Sequence, residues 1–172
     1  MNLIELIDEA GIAARRSEIG EAYSARHGVK AQANLTVMDD QIAAALAEHL
    51  APRIKGKSVI DVGGGFGLLS MHLAGFARHV FVIEANPVYS CAWVEFFHQH
   101  KPPNMNFLFG AAREFIGSLR ADVALVASHS DVAGMMSVAG LLADEAIDVY
   151  GDMIAANPKA FDAWAREVRK TA

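Results

Sequence analysis

Cysteine is nearly absent from the 172-residue chain, which holds a single one, Cys91. No disulfide can therefore form within the chain, and this fits a reducing compartment. The sequence also lacks a run of about 18 apolar residues that could span a membrane, and its first residues lack the basic segment of a signal peptide. These absences predict a cytoplasmic protein that does not enter a membrane.

Positive charge is also scarce, because 15 lysines and arginines stand against 20 acidic residues, for a formal net charge of -5. An acidic total disfavours broad contact with nucleic-acid phosphates, although a local basic patch near Arg15, Arg16, Arg26 and Lys30 remains compatible with it. The 53% of hydrophobic residues supply ample material for a core. Length and composition together predict one globular domain over residues 1–172.

Hydrophobic patterning divides the chain into three parts. Residues 1–55 read as a helical cap, with helices over 2–27 and from Thr36 to about Pro52. In residues 56–130, short apolar runs alternate with helical segments: strands at 58–62, 79–85, 106–109 and 121–127, helices at 68–77, 87–100 and 111–119. Residues 131–172 read as C-terminal helices, and 147–150 is the nearest candidate for another strand.

This alternation predicts an α/β fold with a Rossmann-like parallel sheet of four to five strands and helices on both faces. The helical N-terminal extension and the helical C-terminus complete it. So short a sheet would leave an edge exposed, which the C-terminal helices or a second copy of the chain would have to cover. A homodimer is therefore a possible assembly.

A glycine-rich turn follows the first predicted strand, with glycines at Gly63, Gly64, Gly65 and Gly67. A strand, a glycine turn and a helix together present backbone N–H groups and a helix N-terminus to a ligand. A dinucleotide fingerprint would need another glycine where Leu68 stands. An ordinary tight turn between strand and helix is the simpler alternative.

Two acidic residues end the first two strands. Asp61 lies two residues before the first glycine, where a carboxylate would repel a pyrophosphate and would suit a ligand with a positive amine. Glu84 closes the second strand, 23 residues later. A carboxylate at that point can accept hydrogen bonds from two ribose hydroxyls.

Residues 59–67 (Val-Ile-Asp-Val-Gly-Gly-Gly-Phe-Gly) and 82–87 (Val-Ile-Glu-Ala-Asn-Pro) resemble the first and second motifs of the class I S-adenosylmethionine (SAM)-dependent methyltransferases. The resemblance implies SAM as cofactor and S-adenosylhomocysteine as product. It further implies that Asp61 and the glycine turn hold the methionine part, that Glu84 holds the ribose, and that Ala85 and Asn86 lie near the adenine.

A further segment, Gln32-Ala33-Asn34-Leu35-Thr36 with Asp39, is similar to the stretch before the first motif of ribosomal-RNA adenine dimethyltransferases. By that resemblance, Gln32 and Asn34 would reach back over the SAM. The alternative is an ordinary polar loop.

The chain departs from the family pattern after the third strand. Many members bind the adenine amino group with a carboxylate at the position of Ala111. Adenine recognition would then come from a backbone group at Ala111 or from a neighbour.

A second departure follows the fourth strand, where Ser128-His129-Ser130-Asp131 replaces the Asn- or Asp-Pro-Pro-Tyr type motif of nucleic-acid amino-methyltransferases. Base methylation through that motif is therefore disfavoured. His129 is the predicted general base, because a histidine at this sheet edge can exchange a proton near neutral pH. Ser128, Ser130 and Asp131 would orient it or bind substrate, unless Ser130 or Asp131 simply caps the next helix.

The leading hypothesis is a SAM-dependent methyltransferase with a small or compact acceptor and no metal site. The alternative is a SAM-binding protein that does not methylate, such as a SAM-degrading enzyme or a sensor. A structural subunit that keeps the fold for stability alone is the third possibility, and it leaves Asp61 and Glu84 without a task.

Overall fold

A computed structural model describes residue 25 and residues 40–94, 98, 100–127 and 131–156. The helices are α1 (Asp40–Ile54), α2 (Leu68–Leu73), α3 (Pro87–Ala92), α4 (Val132–Leu142) and α5 (Val149–Ala156), with a short 3-10 helix at Ala112–Phe115. The strands are β1 (Ser58–Val62), β2 (His79–Glu84), β3 (Met105–Phe109), β4 (Ala121–Val126) and β5 (Ala143–Asp148). None of these helices is long and apolar enough to cross a membrane.

The strands form one five-stranded sheet in the order β3-β2-β1-β4-β5. Every pairing is parallel, and this confirms the predicted α/β class and parallel sheet. The chain runs outward from β1 through β2 to β3, then returns to the other side of β1 to form β4. Ligands of such sheets bind beyond the carboxyl ends of the strands at this reversal of order, so β1 and its neighbours position the site.

The core lies on both faces of the sheet. On one face the inward residues of β1 and β4, such as Val59 and Leu125, pack with Leu46 and Leu50 of α1. On the other face Ile60 and the remaining inward residues pack with α4. Burial on both faces explains why β1, β2 and β4 are nearly continuous runs of apolar residues.

The fifth strand corrects the prediction that residues 131–172 are helical throughout. Residues 143–148 read Ala-Asp-Glu-Ala-Ile-Asp, a composition that disfavours strands. They form β5 because their backbone pairs with β4, from Ala121 opposite Ala143 to Val126 opposite Asp148. The candidate strand at 147–150 is only half correct, since helix α5 begins at Val149.

An ionic network attaches this edge strand to the helices beside it. Arg53 of α1 contacts Glu145 of β5 at 2.5 Å and Asp152 of α5 at 3.1 Å. The hydrogen bond and the positive charge of Arg53 lower the pKa of Glu145. Glu145, one of the acidic residues that weaken the strand pattern in the sequence, therefore has a basic partner in the fold.

Several helix boundaries differ from the sequence-based predictions. Helix α1 continues through Pro52 to Ile54, although a proline there cannot donate to the Glu48 carbonyl and its ring crowds that carbonyl. The helix expected over 111–119 is only the 3-10 turn, and Gly117 follows it with a φ of 84°. The predictions for 2–27, apart from residue 25, and for Thr36 and 157–172 lie outside the described residues.

Candidate functional site

The backbone of the glycine turn has a conformation that residues other than glycine rarely adopt. Gly63, Gly65 and Gly67 have φ angles of 72°, 57° and 76°. These lie in the left-handed region, which costs glycine no steric penalty. The Gly67 amide donates to the Gly64 carbonyl at 2.8 Å, and Gly67 then opens α2 as its N-cap. The alternate spacing of the glycines therefore corresponds to three left-handed positions in one turn.

Gly64 has an ordinary φ but no room for a side chain. A Cβ on Gly64 would lie 2.5 Å from Val82 Cγ1 and 2.9 Å from Asp61 Oδ2. The turn is also bonded to β2, since the amides of Gly63 and Gly64 donate to the Ile83 carbonyl at 2.8 and 3.3 Å. The turn therefore lies directly on the carboxyl ends of β1 and β2.

Asp61 lies beneath this turn and is only 1% exposed. The Ser70 hydroxyl of α2 donates to its Oδ2 at 2.6 Å. Its Oδ1 has no hydrogen-bond partner, and it is the only buried side-chain nitrogen or oxygen in that condition among the described residues. Burial raises the pKa of Asp61 to about 6, against the Ser70 bond, and the nearby charge of Glu84 adds to the rise.

Glu84 has two structural bonds that its position in the sequence does not reveal. Its Oε2 accepts from the Gly65 amide at 2.9 Å and its Oε1 accepts from the Asn86 amide at 2.7 Å. Burial raises the pKa of Glu84, and the backbone N–H groups oppose that rise. A carboxylate has about four lone-pair sites, more than these backbone N–H groups occupy, so capacity remains for a ligand hydroxyl. Glu84 thus shapes the turn and still has acceptor capacity.

Two aromatic residues support the turn, Tyr89 of α3 and Trp93 just beyond it, and both contact Phe66 of the turn. The Trp93 indole N–H donates to the Phe66 carbonyl at 3.0 Å. The Phe66 and Tyr89 rings meet edge to face at 4.5 Å, and the Tyr89 ring lies 3.7 Å from the Cβ position of Gly65. Sequence reasoning missed this group, although the i, i+4 spacing of Tyr89 and Trp93 places both on one helix face.

The predicted adenine positions lie together. Ala85 and Asn86 follow β2, and Ala111 is the N-cap of the 3-10 helix that follows β3. The Gly110 amide donates to the Glu84 carbonyl at 3.0 Å. Parallel pairing of β2 with β3 therefore brings Ala111 beside the end of the strand that carries Glu84.

Tyr150 is a further neighbour of Asp61 that the sequence did not indicate. It is the second residue of α5, two residues beyond the end of β5, and is buried. Burial, together with the charge of Asp61, raises the pKa of its phenol. A neutral phenol therefore belongs to the surroundings of the Asp61 carboxylate.

The cluster predicted after β4 is only partly within the described residues. Asp131 is the N-cap of α4: it has a φ of 49°, and its Oδ1 accepts from the Gly134 amide at 3.2 Å. This is the capping role that the sequence left open for it. Ser128, His129 and Ser130 lie outside the described residues, as do Gln32 and Asn34. Across the described parts of the chain, no three histidine, cysteine or acidic side chains gather as a metal site.

Solved structures with the same fold are numerous, and 313 chains match this one. One is a Pyrococcus horikoshii protein provisionally named an RNA methyltransferase, with 21% identity, a TM-score of 0.50, and 76% of this chain and 71% of that chain covered. A Geobacter sulfurreducens SAM-dependent methyltransferase in complex with S-adenosylhomocysteine has 18% identity, a TM-score of 0.51 and coverage of 75% and 51%. Precorrin 8W decarboxylase from Methanobacterium thermoautotrophicum has 22% identity, a TM-score of 0.52 and coverage of 66% and 62%.

No protein-family model matches the chain, and neither does any curated protein. The chain spans 71%, 51% and 62% of the lengths of these three structures. Identities this low establish a shared Rossmann-like fold. Among the three, two have methyltransferase names and one has a decarboxylase name, so the fold by itself leaves the reaction open.

Proposed function

We propose that this chain binds SAM beneath and beside the glycine turn and is a SAM-dependent methyltransferase. The observation that carries the proposal is Asp61 Oδ1, a buried carboxylate oxygen without a partner at the carboxyl end of the central strand. Such an oxygen is costly to bury unless something pairs with it. The ammonium group of the methionine part of SAM supplies a donor of the right charge.

The other residues of the site fit the remaining parts of the same ligand. Side chains at Gly63 or Gly64 would collide with Met135 or Val82, so this part of the turn can offer a ligand only backbone. Glu84 supplies acceptors for ribose hydroxyls from the end of β2. The carboxylates of Asp61 and Glu84 suit a ligand in which an amino acid with an ammonium group is joined to a nucleoside. The same carboxylates would repel a pyrophosphate.

Bound SAM would supply an activated methyl group, and the residues of this chain would orient it and exclude water. Such positioning provides most of the rate enhancement in a direct displacement, for which no covalent intermediate on the protein is needed. His129 is the proposed general base for the acceptor, with Ser128, Ser130 and Asp131 as neighbours. Its replacement by alanine should spare SAM binding and impair turnover.

Thermal denaturation with added nucleotides tests the proposal. SAM and S-adenosylhomocysteine should each raise the melting temperature, because a ligand that binds only the folded state stabilises it. NAD+ at the same concentration should leave it unchanged. If neither SAM nor S-adenosylhomocysteine raises the melting temperature of a correctly folded sample, the proposal is wrong.

A second candidate is a SAM-binding protein that does not methylate. A protein named as a decarboxylase shares the fold, so the fold also occurs under a name other than methyltransferase. This observation supports the second candidate. Incubation with SAM alone separates the two functions. Breakdown of SAM without an acceptor supports the alternative, whereas stable binding followed by methyl transfer in an acceptor screen supports the methyltransferase.

The proposal also covers the methyl acceptor, the cellular compartment and the oligomeric state of the chain. We propose a small or compact acceptor, because the acidic chain disfavours broad contact with nucleic acid. We propose a cytoplasmic location, because a chain with one cysteine fits a reducing compartment. A homodimer would cover the outer edge of β5, and sedimentation of the purified chain would distinguish it from a monomer.

A further inference from the structure

We propose that Met135 is a modification site, at which oxidation of the thioether to the sulfoxide weakens ligand binding by the glycine turn. The inference rests on the proposed SAM site and adds a means of regulating it. The juxtaposition that carries it is the Met135 methyl group packed against the backbone of Gly63.

The Met135 side chain reaches the glycine turn from α4. A Cβ on Gly63 would lie 2.7 Å from Met135 Cε. The methyl group therefore occupies the space that a side chain on Gly63 would need, and it packs against the backbone there. Because the Gly63 amide donates to the Ile83 carbonyl at 2.8 Å, the residue in contact with Met135 is also one that joins the turn to β2.

Helix α4 holds Met135 in this position. The Met135 amide donates to the carbonyl of Asp131, the N-cap, at 3.0 Å. Ala139 and Leu142 lie about one and two turns further along the same helix face, and both are fully buried. The helix cannot withdraw from the turn without exposing them. Any group added to the Met135 sulfur must therefore be accommodated by its own side chain or by the turn.

A second methionine makes a similar contact at the other end of the turn. A Cβ on Gly67 would lie 2.8 Å from Met105 Cε. Met105 is fully buried, whereas Met135 is only partly buried. A peroxide must reach the sulfur atom to oxidise it, so the contact at Gly63 is open to this reaction and the contact at Gly67 is protected from it.

The reaction is the transfer of an oxygen atom. The sulfur of Met135 attacks hydrogen peroxide, an S–O bond forms as the O–O bond breaks, and the peroxide is reduced to water. The new oxygen is a hydrogen-bond acceptor, but Met135 packs against an apolar cluster that includes Val62 and Ile83. The nearby amides of Gly63 and Gly64 already donate to the Ile83 carbonyl. An acceptor buried without a donor is costly, so the oxidised side chain should leave its place and Gly63 should lose its support.

The affinity for S-adenosylhomocysteine after peroxide treatment tests the inference. Catalase removes the peroxide before the ligand is added, since the ligand is itself a thioether, and dithiothreitol undoes reversible oxidation of Cys91. Peptide mass spectrometry measures the sulfoxide at each methionine. Conversion of Met135 should lower the affinity by about 5- to 100-fold, the cost of one buried polar group without a partner. Treatment with methionine sulfoxide reductases should restore it.

Met135→Leu is the test variant, because leucine is apolar, has a similar volume and has no sulfur to oxidise. The matched control is Met153→Leu, which removes another partly buried methionine, on the opposite face of the sheet. Each protein is compared with its own untreated sample, and circular dichroism checks that it is folded. Met135→Leu should keep its affinity to within about twofold after treatment, whereas Met153→Leu should lose as much affinity as the unaltered chain.

Three results would overturn the inference while the SAM site stands. Met135 could be converted with no change in affinity, it could resist conditions that oxidise Met153, or treated Met135→Leu could lose as much affinity as the unaltered chain. If the untreated chain does not bind S-adenosylhomocysteine, the proposed function fails, and the inference fails with it.

Discussion

The Ser70 hydroxyl donates a hydrogen bond to Asp61 Oδ2 at 2.6 Å, while the other oxygen of the same carboxylate has no partner. The protein thus holds one carboxylate oxygen in place, and the other oxygen is available to a ligand. The bond also opposes the rise in the pKa of Asp61 that burial causes. Ser70 therefore both orients the carboxylate and keeps it largely ionised at neutral pH.

Ser70→Ala should raise the pKa of Asp61 above its present value of about 6. Less of the carboxylate is then ionised at pH 7 and its orientation is less fixed, so SAM affinity should fall by about 3- to 10-fold, the value of one typical hydrogen bond. Part of the loss should return at about pH 7.5, where more of the carboxylate is ionised and the ligand amine is still mostly protonated. Titration calorimetry at both pH values measures the effect, and Ser137→Ala on the exposed side of α4 is the control. Equal affinity in the variant and the unaltered chain would show that the bond has no role in binding.

The affinity of the unaltered chain for SAM should fall as the pH drops below about 6, the pKa of Asp61 in the free protein. A cation binds the ionised form, so each pH unit below that pKa should cost up to about tenfold in affinity. Above about pH 7 the contribution of Asp61 should be constant. Calorimetric titrations at pH 5, 6 and 7 measure the dependence. An affinity that does not change over this range would contradict pairing of Asp61 with the ammonium group.

Asp61→Asn should change how stability depends on pH in the absence of ligand. The folded-state pKa of about 6 exceeds the ordinary value of 3.8, so the folded protein binds this proton more tightly than the unfolded chain does. The Asp61 contribution to the free energy of unfolding therefore falls as the pH rises from about 4 to about 7, by up to about 3 kcal/mol in total. That part of the slope should be absent from the asparagine variant.

Denaturant unfolding at pH 4.5, 5.5 and 7 measures the free energy of unfolding of both proteins. Contributions from other titrating groups largely cancel in the difference between the two proteins. The same variant should no longer bind SAM, because an amide has no charge to pair with the ammonium group. Parallel pH profiles for the two proteins would show that Asp61 is already ionised throughout the range.

Gly64→Ala should damage the turn, since its Cβ would lie 2.5 Å from Val82 Cγ1 and 2.9 Å from Asp61 Oδ2. Val82 is fully buried and cannot move away freely. We expect a loss of about 1–3 kcal/mol in the free energy of unfolding, as for other overpacked sites, and a marked loss of SAM affinity.

Gly140→Ala is the matched control for this variant. Gly140 lies in α4, and nothing stands within 4 Å of its Cβ position. Alanine there should stabilise the chain by about 0.5–1 kcal/mol, because it restricts the unfolded state and favours the helix. Thermal and denaturant unfolding compare the two. Equal stability of the two variants would mean that the turn relaxes around a side chain.

The sequence by itself determined the elements whose evidence is local. β1, β2 and β4 are buried on both faces, so their apolar runs predict them directly. The left-handed turn requires glycine, so Gly63, Gly65 and Gly67 predict it as well. Asp61 and Glu84 follow from their positions at strand ends, because parallel strands bring their carboxyl ends to one edge.

Only the tertiary structure decided the features that depend on contacts between distant parts of the chain. β5 has a weak strand composition, and it forms because β4 offers its backbone edge and Arg53 pairs with Glu145. The contact of Met135 with Gly63 depends on how α4 packs against the sheet. The single partner of Asp61 is supplied by Ser70 across the glycine turn. Local patterns determine which backbone a segment prefers, whereas folding determines which polar atoms are left buried without a partner.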